Sequence, residues 1–285
     1  MLNADYPQRE LQAGGVPFAF IRSSLFGVAE RDDSMLRSTE IAAQPGFSVR
    51  YTGPRLNQQH AILWQAIHLL HRERGKSISQ TLEITQADML RAIGREFVST
   101  NARRQLWERL KELQSGQVEI NTHRVRFSGA LLGDVRLDKV THHYEIHLPQ
   151  RLQDLIADEL AHIDFDRKLS LGRNQIASWL HDFISSQSND KYFPQPVAEL
   201  LKLSGSPLGL PQFRQRLVAA AGKLRESDNA LLVDFGIDDK DRFVFKKTKT
   251  RVTILPSAAK GVVEARRFRM SAEQQARMQR AHVAL

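Results

Sequence analysis

Two stretches of the chain repeat one pattern of apolar and polar positions. In the first, from Ser99 to Gly116, apolar residues recur at intervals of three and four, which predicts a helix with one buried face. The second, from Leu210 to Asn229, shows the same spacing. The apolar positions are Leu106, Leu110 and Leu113 in the first stretch and Phe213, Leu217, Ala220 and Leu224 in the second. Each stretch continues into a polar turn and a strand, so we predict a duplicated helical module.

The elements around the first long helix follow a defined order. A helix is predicted from Asn57 to Arg74, where Gly75 ends it, and a short extended piece follows at residues 77–84. A capping box at residues 85–88 then begins a second helix. Strands are predicted after the long helix at residues 118–120, 124–127, 131–137 and 144–148. This is the order of a winged helix, in which the third helix lies against DNA and the next hairpin forms the wing.

The same order begins again in the second half. Helices are predicted at residues 173–187, 196–203 and 210–226, and a hairpin with a polar tip at 236–241 follows them. We therefore predict an α+β fold, mainly α, with two tandem winged-helix domains and short antiparallel sheets. The predicted parts are a flexible leader (1–21), a first winged-helix domain with an N-terminal strand or peptide motif (22–148), a linker helix (149–166), a second winged-helix domain (167–249) and a basic tail that is disordered or helical only when bound (250–285).

The charge distribution indicates an acidic partner. The chain has a formal net charge of +9 and a pI near 10, which is typical of proteins that bind nucleic acid and of some that bind anionic membranes. From Lys246 onward there are ten basic and two acidic residues, a net charge of +8. Nearly all of the excess therefore lies near the C terminus, and any positive surface on the folded part has to be local.

Several function classes lose support from what the sequence lacks. With no cysteine, neither a disulfide framework nor a thiolate metal site is available, which fits a reducing compartment. No secretory signal is recognisable, and no window approaches the roughly 20 apolar residues that span a bilayer. Neither of the two glycine-rich phosphate-loop patterns occurs. We expect a soluble cytoplasmic protein with no membrane partner and no cofactor.

The long helices carry the side chains that recognise base edges. Arginine pairs bidentately with guanine, and glutamine or asparagine with adenine, when a helix enters the major groove. The predicted DNA-binding residues are Asn101, Arg103, Arg104, Gln105 and Lys111 on the first helix and Gln212, Arg214, Gln215, Arg216 and Lys223 on the second. Any solvated helix also carries such residues, and Glu108, Glu112 and Glu226 interrupt the positive face. The prediction therefore depends on finding two copies in the same context.

Cations in the predicted wings suit contacts with phosphate, which fix register and salt dependence without recognising sequence. The predicted residues are Arg124 and Arg126, with Arg136 and Lys139, in the first wing and Lys240, Arg242, Lys246 and Lys247 in the second. Taken one at a time, these residues are also ordinary surface charges.

Histidine spacing raises an enzymatic alternative. His143, Glu145 and His147 share one face of a predicted strand, which could ligate a cation, although a polar strand face explains the same pattern. Rolling-circle nickases combine two histidines separated by one apolar residue with a nucleophilic tyrosine, and that set is absent. We expect no catalytic residue and no metal site, with an origin nickase as a rival that a search for covalent protein–DNA product would test.

Several short sequence segments between residues 22 and 247 resemble those of the TrfA-type replication initiators of broad-host-range plasmids. They are Arg22–Phe26, Val49–Gly53, Arg109–Leu113, Lys168–Leu171, Asp182–Ser186 and Phe213–Glu226. The resemblance implies two winged-helix domains that bind direct repeats, called iterons, at a plasmid origin and help to open the adjacent double-stranded DNA. It also implies recruitment of the host initiator and replicative helicase, a monomer–dimer balance and no enzymatic activity. Since origin opening leaves a melted strand to be held, we also expect contact with single-stranded origin DNA.

The resemblance extends to a Leu-Phe pair that is similar to sliding-clamp-binding peptides. Leu25 and Phe26 match it, but Arg22 stands where such peptides usually have glutamine. From the residues alone, plain core is the better explanation of the pair. The rival for the whole chain is a winged-helix transcriptional repressor without a replication role.

Overall fold

A computed structural model describes residues 15–29, 34–75, 80–123, 126–149, 152, 160–187, 194–226 and 230–248. The helices are α1 (Phe18–Ile21), α2 (Gln58–Glu73), α3 (Gln86–Ala92), α4 (Thr100–Ser115), α5 (Phe165–Ser170), α6 (Gln175–Ser185), α7 (Val197–Leu203) and α8 (Leu210–Glu226). Most of the predicted leader, most of the linker helix and the basic tail lie outside the described residues.

The strands are short. They are β1 (Gly15–Pro17), β2 (Phe26–Gly27), β3 (Met35–Ile41), β4 (Ser48–Pro54), β5 (Leu56–Asn57), β6 (Leu82–Thr85), β7 (Gln117–Asn121), β8 (Arg126–Ala130), β9 (Val135–Asp138), β10 (His143–Ile146), β11 (Leu160–His162), β12 (Gln195–Pro196), β13 (Leu232–Ile237) and β14 (Arg242–Lys247). Among the residues that the structure describes, 41% are helical and 30% lie in strands, which confirms the mixed class, with helix the larger share.

The predicted helices form because a side-chain cap begins the helix where the apolar periodicity begins. Thr85 caps α3 by accepting a hydrogen bond from the Asp88 N–H (3.0 Å), and Ser99 caps α4 by accepting one from the Ala102 N–H (3.1 Å). The predicted apolar positions of both long helices are buried: Leu106, Leu110, Leu113, Phe213, Leu217, Ala220 and Leu224. One face of α4 and one face of α8 are therefore fixed in the core, as predicted.

The same arrangement occurs twice. We call α2, β6, α3, α4, β9 and β10 the first repeat, and α6, β12, α7, α8, β13 and β14 the second. In the first repeat the antiparallel strand order is β6-β10-β9, and in the second it is β12-β14-β13. In both, the strand between the first two helices pairs with the last strand of the hairpin. Chain order and strand pairing therefore agree between the repeats.

The position of the first hairpin corrects the predicted wing. The strands directly after α4, β7 and β8, do not join the short sheet of the first repeat but extend a separate sheet of order β3-β4-β7-β8. They pair there because Val118, Ile120 and Phe127 pack into the same core as Val49 and Tyr51 of β4. The hairpin that pairs with β6 is β9–β10, so the β7–β8 strands are an addition to the repeat.

Two hydrophobic clusters form the interior. The first is built mainly around Trp64 of α2 and the buried face of α4, and the second around Trp179 and Phe183 of α6 and the buried face of α8. Val28, from the N-terminal segment, packs with the second cluster rather than the first. The clusters correspond to the two repeats, and the N-terminal segment reaches both.

A buried polar cluster joins the two repeats. We call Gln65, Lys168, His181 and Asp182 the junction cluster. Lys168 of α5 and Asp182 of α6 form an ion pair, and their side chains are 0% and 6% exposed. Gln65 of α2 donates a hydrogen bond to Asp182 Oδ2 (2.9 Å), and His181 Nδ1 lies 3.0 Å from Oδ1. Helix α2 of the first repeat is therefore tied to α5 and α6 at one carboxylate.

The carboxylate of the junction cluster is ionised. Burial opposes ionisation of Asp182, but Lys168 and the hydrogen bond from His181 together hold its pKa below the usual value. Burial also lowers the pKa of His181, so this imidazole is neutral and donates its Nδ1 proton to the carboxylate. A second junction bond runs from the Ser178 hydroxyl to Gln58 Oε1 (3.2 Å).

The environment of His68 should make the stability of the fold sensitive to acid. Its ring lies 3.9 Å from the Trp64 ring, and burial, with the neighbouring His71, lowers its pKa to about 3. The unfolded chain binds the proton near pH 6.5, so between pH 6.5 and about 3 unfolding takes up a proton and stability falls as pH falls. Between pH 7 and pH 5, wild type should lose about 2 kcal/mol more unfolding free energy than His68→Phe.

The measurement is denaturant unfolding at both pH values. His162→Phe, which changes an exposed histidine, serves as the matched control and should behave as wild type. An equal loss of stability in wild type and His68→Phe would contradict the assignment.

Candidate nucleic-acid interface

The exposed face of α4 carries most of its predicted residues. Asn101, Arg104 and Lys111 are exposed, whereas Arg103 and Gln105 are partly buried. Arg104 donates a hydrogen bond to Asn101 Oδ1 (3.1 Å), and Lys111 pairs with Glu108 (2.7 Å). The helix therefore presents Asn101 and Arg104 together, near its N terminus, where recognition helices contact base edges.

Arg103 and Trp107 turn toward the short sheet of the first repeat. Trp107 stacks on Tyr144 of β10, with ring centroids 6.1 Å apart and planes 8° from parallel. Burial raises the pKa of Tyr144, and Gln86 and Arg103 oppose the rise. Arg103 Nε is buried without a hydrogen-bond partner among the described residues. Arg103 is therefore as much a packing residue as a candidate DNA contact.

A cleft of about 600 Å³, which we call the α4 cleft, opens beside the N terminus of α4. It combines the amides of Asn101 and Gln105 with Arg95 and Phe97 from the turn before α4 and with Arg173 from the loop between α5 and α6. Phe97 is 85% exposed. An exposed aromatic ring beside cations and amides suits stacking on, and hydrogen bonding to, a nucleobase.

Three residues of this cleft, Arg95, Phe97 and Arg173, were not predicted from the sequence. Arg95 and Phe97 lie just before the helix cap at Ser99, and the proximity of an arginine and an aromatic residue to a predicted recognition helix was a usable signal. Arg173 had no such signal, because it lies 68 positions after Gln105 and only the fold brings the two together.

The exposed face of α8 carries all of its predicted residues in accessible positions: Gln212, Arg214, Gln215, Arg216 and Lys223. Arg214 forms an ion pair with Asp241 at the tip of the β13–β14 hairpin. The side chains of Arg214 and Asp241 are 48% and 35% exposed. The guanidinium is thus accessible but already has a carboxylate partner in the unbound protein.

The two hairpins place the predicted wing cations differently. In the first, Lys139 is exposed at the tip beside Val140, which is 90% exposed, and Arg136 pairs with Glu145 (2.9 Å). In the second, Lys240 and Lys246 are exposed and Arg242 pairs with Asp238 (2.6 Å). Arg126 is exposed on β8, outside the hairpin that pairs with β6, and Arg124 lies outside the described residues.

Lys247 is a correction to the predicted set. It is 9% exposed, and its ammonium donates hydrogen bonds to the Gln187 carbonyl (2.8 Å) and the Ser185 carbonyl (3.4 Å) at the end of α6. Burial, with nearby Arg167, lowers its pKa to about 8. Because the ammonium is buried and hydrogen-bonded to carbonyls at the C-terminal end of α6, it is not available to a phosphate.

Leu25 and Phe26 lie in the first hydrophobic cluster, 3% and 5% exposed. The ring of Phe26 meets Phe20 edge to face at 6.1 Å, and its carbonyl accepts a hydrogen bond from Gln58. Arg22 stacks on Phe18 and bonds Ser186 of α6. This is the core packing that the residues alone also explained, and a clamp could bind the pair only after the segment left the core.

The histidine strand does not assemble a cation site. His143 Nδ1 lies 2.9 Å from the Thr141 carbonyl, Glu145 pairs with Arg136, and His147 Nδ1 lies 3.3 Å from the Thr81 hydroxyl. Within the described ranges, no three histidine or carboxylate side chains come together in a geometry that could hold a metal ion. Within the same ranges, no helix has the length and apolar character needed to cross a membrane.

Fold and surface together define the class: an α+β protein with two copies of one helix–strand–helix–helix–hairpin unit, each exposing arginine and glutamine on its long helix. No protein-family model matches the sequence, and no curated protein matches it. Among solved structures, the chain is similar to the selenomethionine form of domains 2 and 3 of RctB, with 10% identity over 79% of this chain and 95% of that chain and a TM-score of 0.52. A second structure of RctB domains 2–3 matches with 9% identity over 78% and 95% and a TM-score of 0.49. The overall fold is therefore shared with RctB domains 2 and 3.

Proposed function

We propose that this protein is a plasmid replication initiator that binds iteron repeats at an origin through two winged-helix modules. The observation that carries the proposal is the duplication: two repeats with the same strand order each expose an arginine- and glutamine-bearing helix. The fold shared with RctB domains 2 and 3 supports the two-module organisation. The initiator role rests on the resemblance to TrfA-type proteins.

In this proposal α4 and α8 enter successive major-groove faces of one iteron. Asn101 and Arg104 contact bases in one face, and Gln212, Arg214 and Arg216 in the other. Lys139 and Lys240, at the hairpin tips, contact phosphate and set the register. The junction cluster holds the two repeats of the protein together at a set separation. The protein therefore selects iterons whose two half-sites have the matching spacing.

We propose that the protein opens the origin without being an enzyme. Binding energy is spent on bending the DNA and on holding the melted strand, not on ATP hydrolysis. The exposed Phe97 and the cations of the α4 cleft suit contact with an unpaired base. Host initiator, replicative helicase, sliding clamp and a second copy of the chain are partners by resemblance.

Two experiments test the proposal in sequence. Selection from a random duplex pool should recover one repeated sequence, and a footprint on the DNA flanking the gene should protect direct copies of it. A plasmid bearing only that region and the gene should then replicate. Binding without replication would favour the transcriptional repressor, and failure to recover any sequence would overturn both functions.

A further inference from the structure

The tips of the β9–β10 and β13–β14 hairpins each have a capping aspartate, although the first tip is one residue longer. Asp138 Oδ1 accepts hydrogen bonds from the N–H groups of Val140 (2.7 Å) and Thr141 (3.1 Å). Asp238 Oδ1 accepts them from Lys240 (3.0 Å) and Arg242 (3.0 Å). Each tip ends in a left-handed residue, His142 with φ 57° and Asp241 with φ 55°. The backbone of each tip is therefore held by its aspartate.

The two tips differ in charge. Between the capping aspartate and the second strand, the first tip has the sequence Lys-Val-Thr-His and the second has Asp-Lys-Asp. In the second tip the left-handed Asp241 meets Arg214 of α8. In the first repeat Arg104, at the same distance from the start of its helix, is bonded instead to the neutral amide of Asn101. Only the second repeat thus sets a hairpin carboxylate against its candidate base-contacting arginine, as far as the described residues show.

The ion pair between Arg214 and Asp241 opposes contact between Arg214 and DNA. A guanidinium held by a carboxylate has to leave it before it can contact DNA. An exposed ion pair of this kind favours the paired over the free guanidinium by at most about fivefold. A single exposed phosphate contact offers a comparable gain, so phosphate and carboxylate share the guanidinium about evenly. A bidentate contact with guanine is worth about 5- to 150-fold and displaces the carboxylate readily.

We propose that Asp241 is a positioning residue that competes with DNA for Arg214 and thereby lowers the affinity for DNA, most strongly for a duplex that offers Arg214 a base contact. This inference rests on the proposed DNA-binding function of α8. Random duplex uses Arg214 little and so loses little affinity to the ion pair, whereas a duplex with guanine at the correct position has to break the pair and loses the whole free energy of the pair. The hairpin tip thus competes with DNA for the Arg214 guanidinium.

The test replaces Asp241 by asparagine in the full chain. Asparagine adopts the left-handed conformation readily, so Asp241→Asn removes the charge and keeps the tip. Asp239→Asn is the matched control, because it removes the same charge from the same exposed tip. Binding is measured by fluorescence anisotropy, on random duplex and on the duplex recovered by selection, across a series of salt concentrations.

Asp241→Asn should raise the affinity for random duplex about two- to fivefold. It should also steepen the slope of log K against log[salt] by about one, because Arg214 becomes one more phosphate-neutralising cation. The affinity for the selected duplex should rise at least as much, because that complex no longer has to break the ion pair, so the ratio between the two does not fall. In an Arg214→Ala background, Asp241→Asn should have no more effect than Asp239→Asn.

The outcomes separate this inference from the proposed function. If wild type binds neither duplex, both fail. If wild type binds and Asp241→Asn behaves like Asp239→Asn or like wild type, only the role of Asp241 fails. An effect of Asp241→Asn that persists without Arg214 would show simple charge repulsion by the tip and would also overturn the inference.

Discussion

Asp182→Ala is expected to lower the free energy of unfolding by about 3–5 kcal/mol. The substitution leaves the Lys168 ammonium, 0% exposed, without its carboxylate, and it also removes the acceptor for Gln65 and His181. An uncompensated charge in the interior is costly because no water replaces the missing carboxylate. Chemical denaturation monitored by tryptophan fluorescence is the measurement, since Trp179 lies three residues from Asp182.

Two further variants make this prediction specific. Asp166→Ala removes an exposed carboxylate from α5 and should change stability by no more than about 0.5 kcal/mol. Lys168→Met combined with Asp182→Leu replaces the ion pair by apolar side chains and should recover much of the stability. If Asp182→Ala costs no more than Asp166→Ala, the junction cluster does not stabilise the fold.

The double substitution Arg214→Ala with Arg216→Ala should weaken binding to the selected duplex by about 1–3 kcal/mol for each of the two arginines that pairs with a base. Both side chains are exposed on α8, so folding should remain intact. The affinity of each variant for the selected duplex and for a random duplex is measured at one salt concentration. Binding to random duplex should fall much less, because only the selected duplex offers matching base edges to these arginines.

The control for this variant removes equal charge elsewhere. Arg37→Ala with Arg50→Ala changes two exposed arginines of the β3–β4 strands, which the proposal does not place on DNA. It should leave the ratio of selected to random binding unchanged. Equal weakening on both duplexes with Arg214→Ala and Arg216→Ala would mean that these arginines contact phosphate alone.

Local pattern was sufficient for the helices. The helix predicted at 57–74 is α2 (Gln58–Glu73), and the one predicted at 210–226 is α8 with the same bounds. The cap at Thr85 and the buried face of α4 were also visible. Helix periodicity and capping join residues three or four positions apart, so a short window contains the whole interaction.

Strand pairing could not be predicted from local periodicity. Alternation at 118–120 showed that β7 has a buried face, but not that its partner is β4, about 70 residues earlier. A strand offers hydrogen bonds at both edges, and the sequence of one strand does not say which partner takes them. The hairpin next to α4 was therefore expected to join the short sheet of the first repeat, where the structure places β9 and β10.

The sequence by itself determined the duplicated order of elements, the buried faces of the two long helices and the candidate arginines, because each of these depends on neighbours along the chain. Only the tertiary structure decided which cations are accessible: it buries Lys247 and pairs Arg214 with Asp241. It also decided that Leu25 and Phe26 pack in the core and that Arg173 joins the α4 cleft. The physical reason is that burial and ion pairing depend on residues brought together from distant parts of the chain, which local periodicity does not encode.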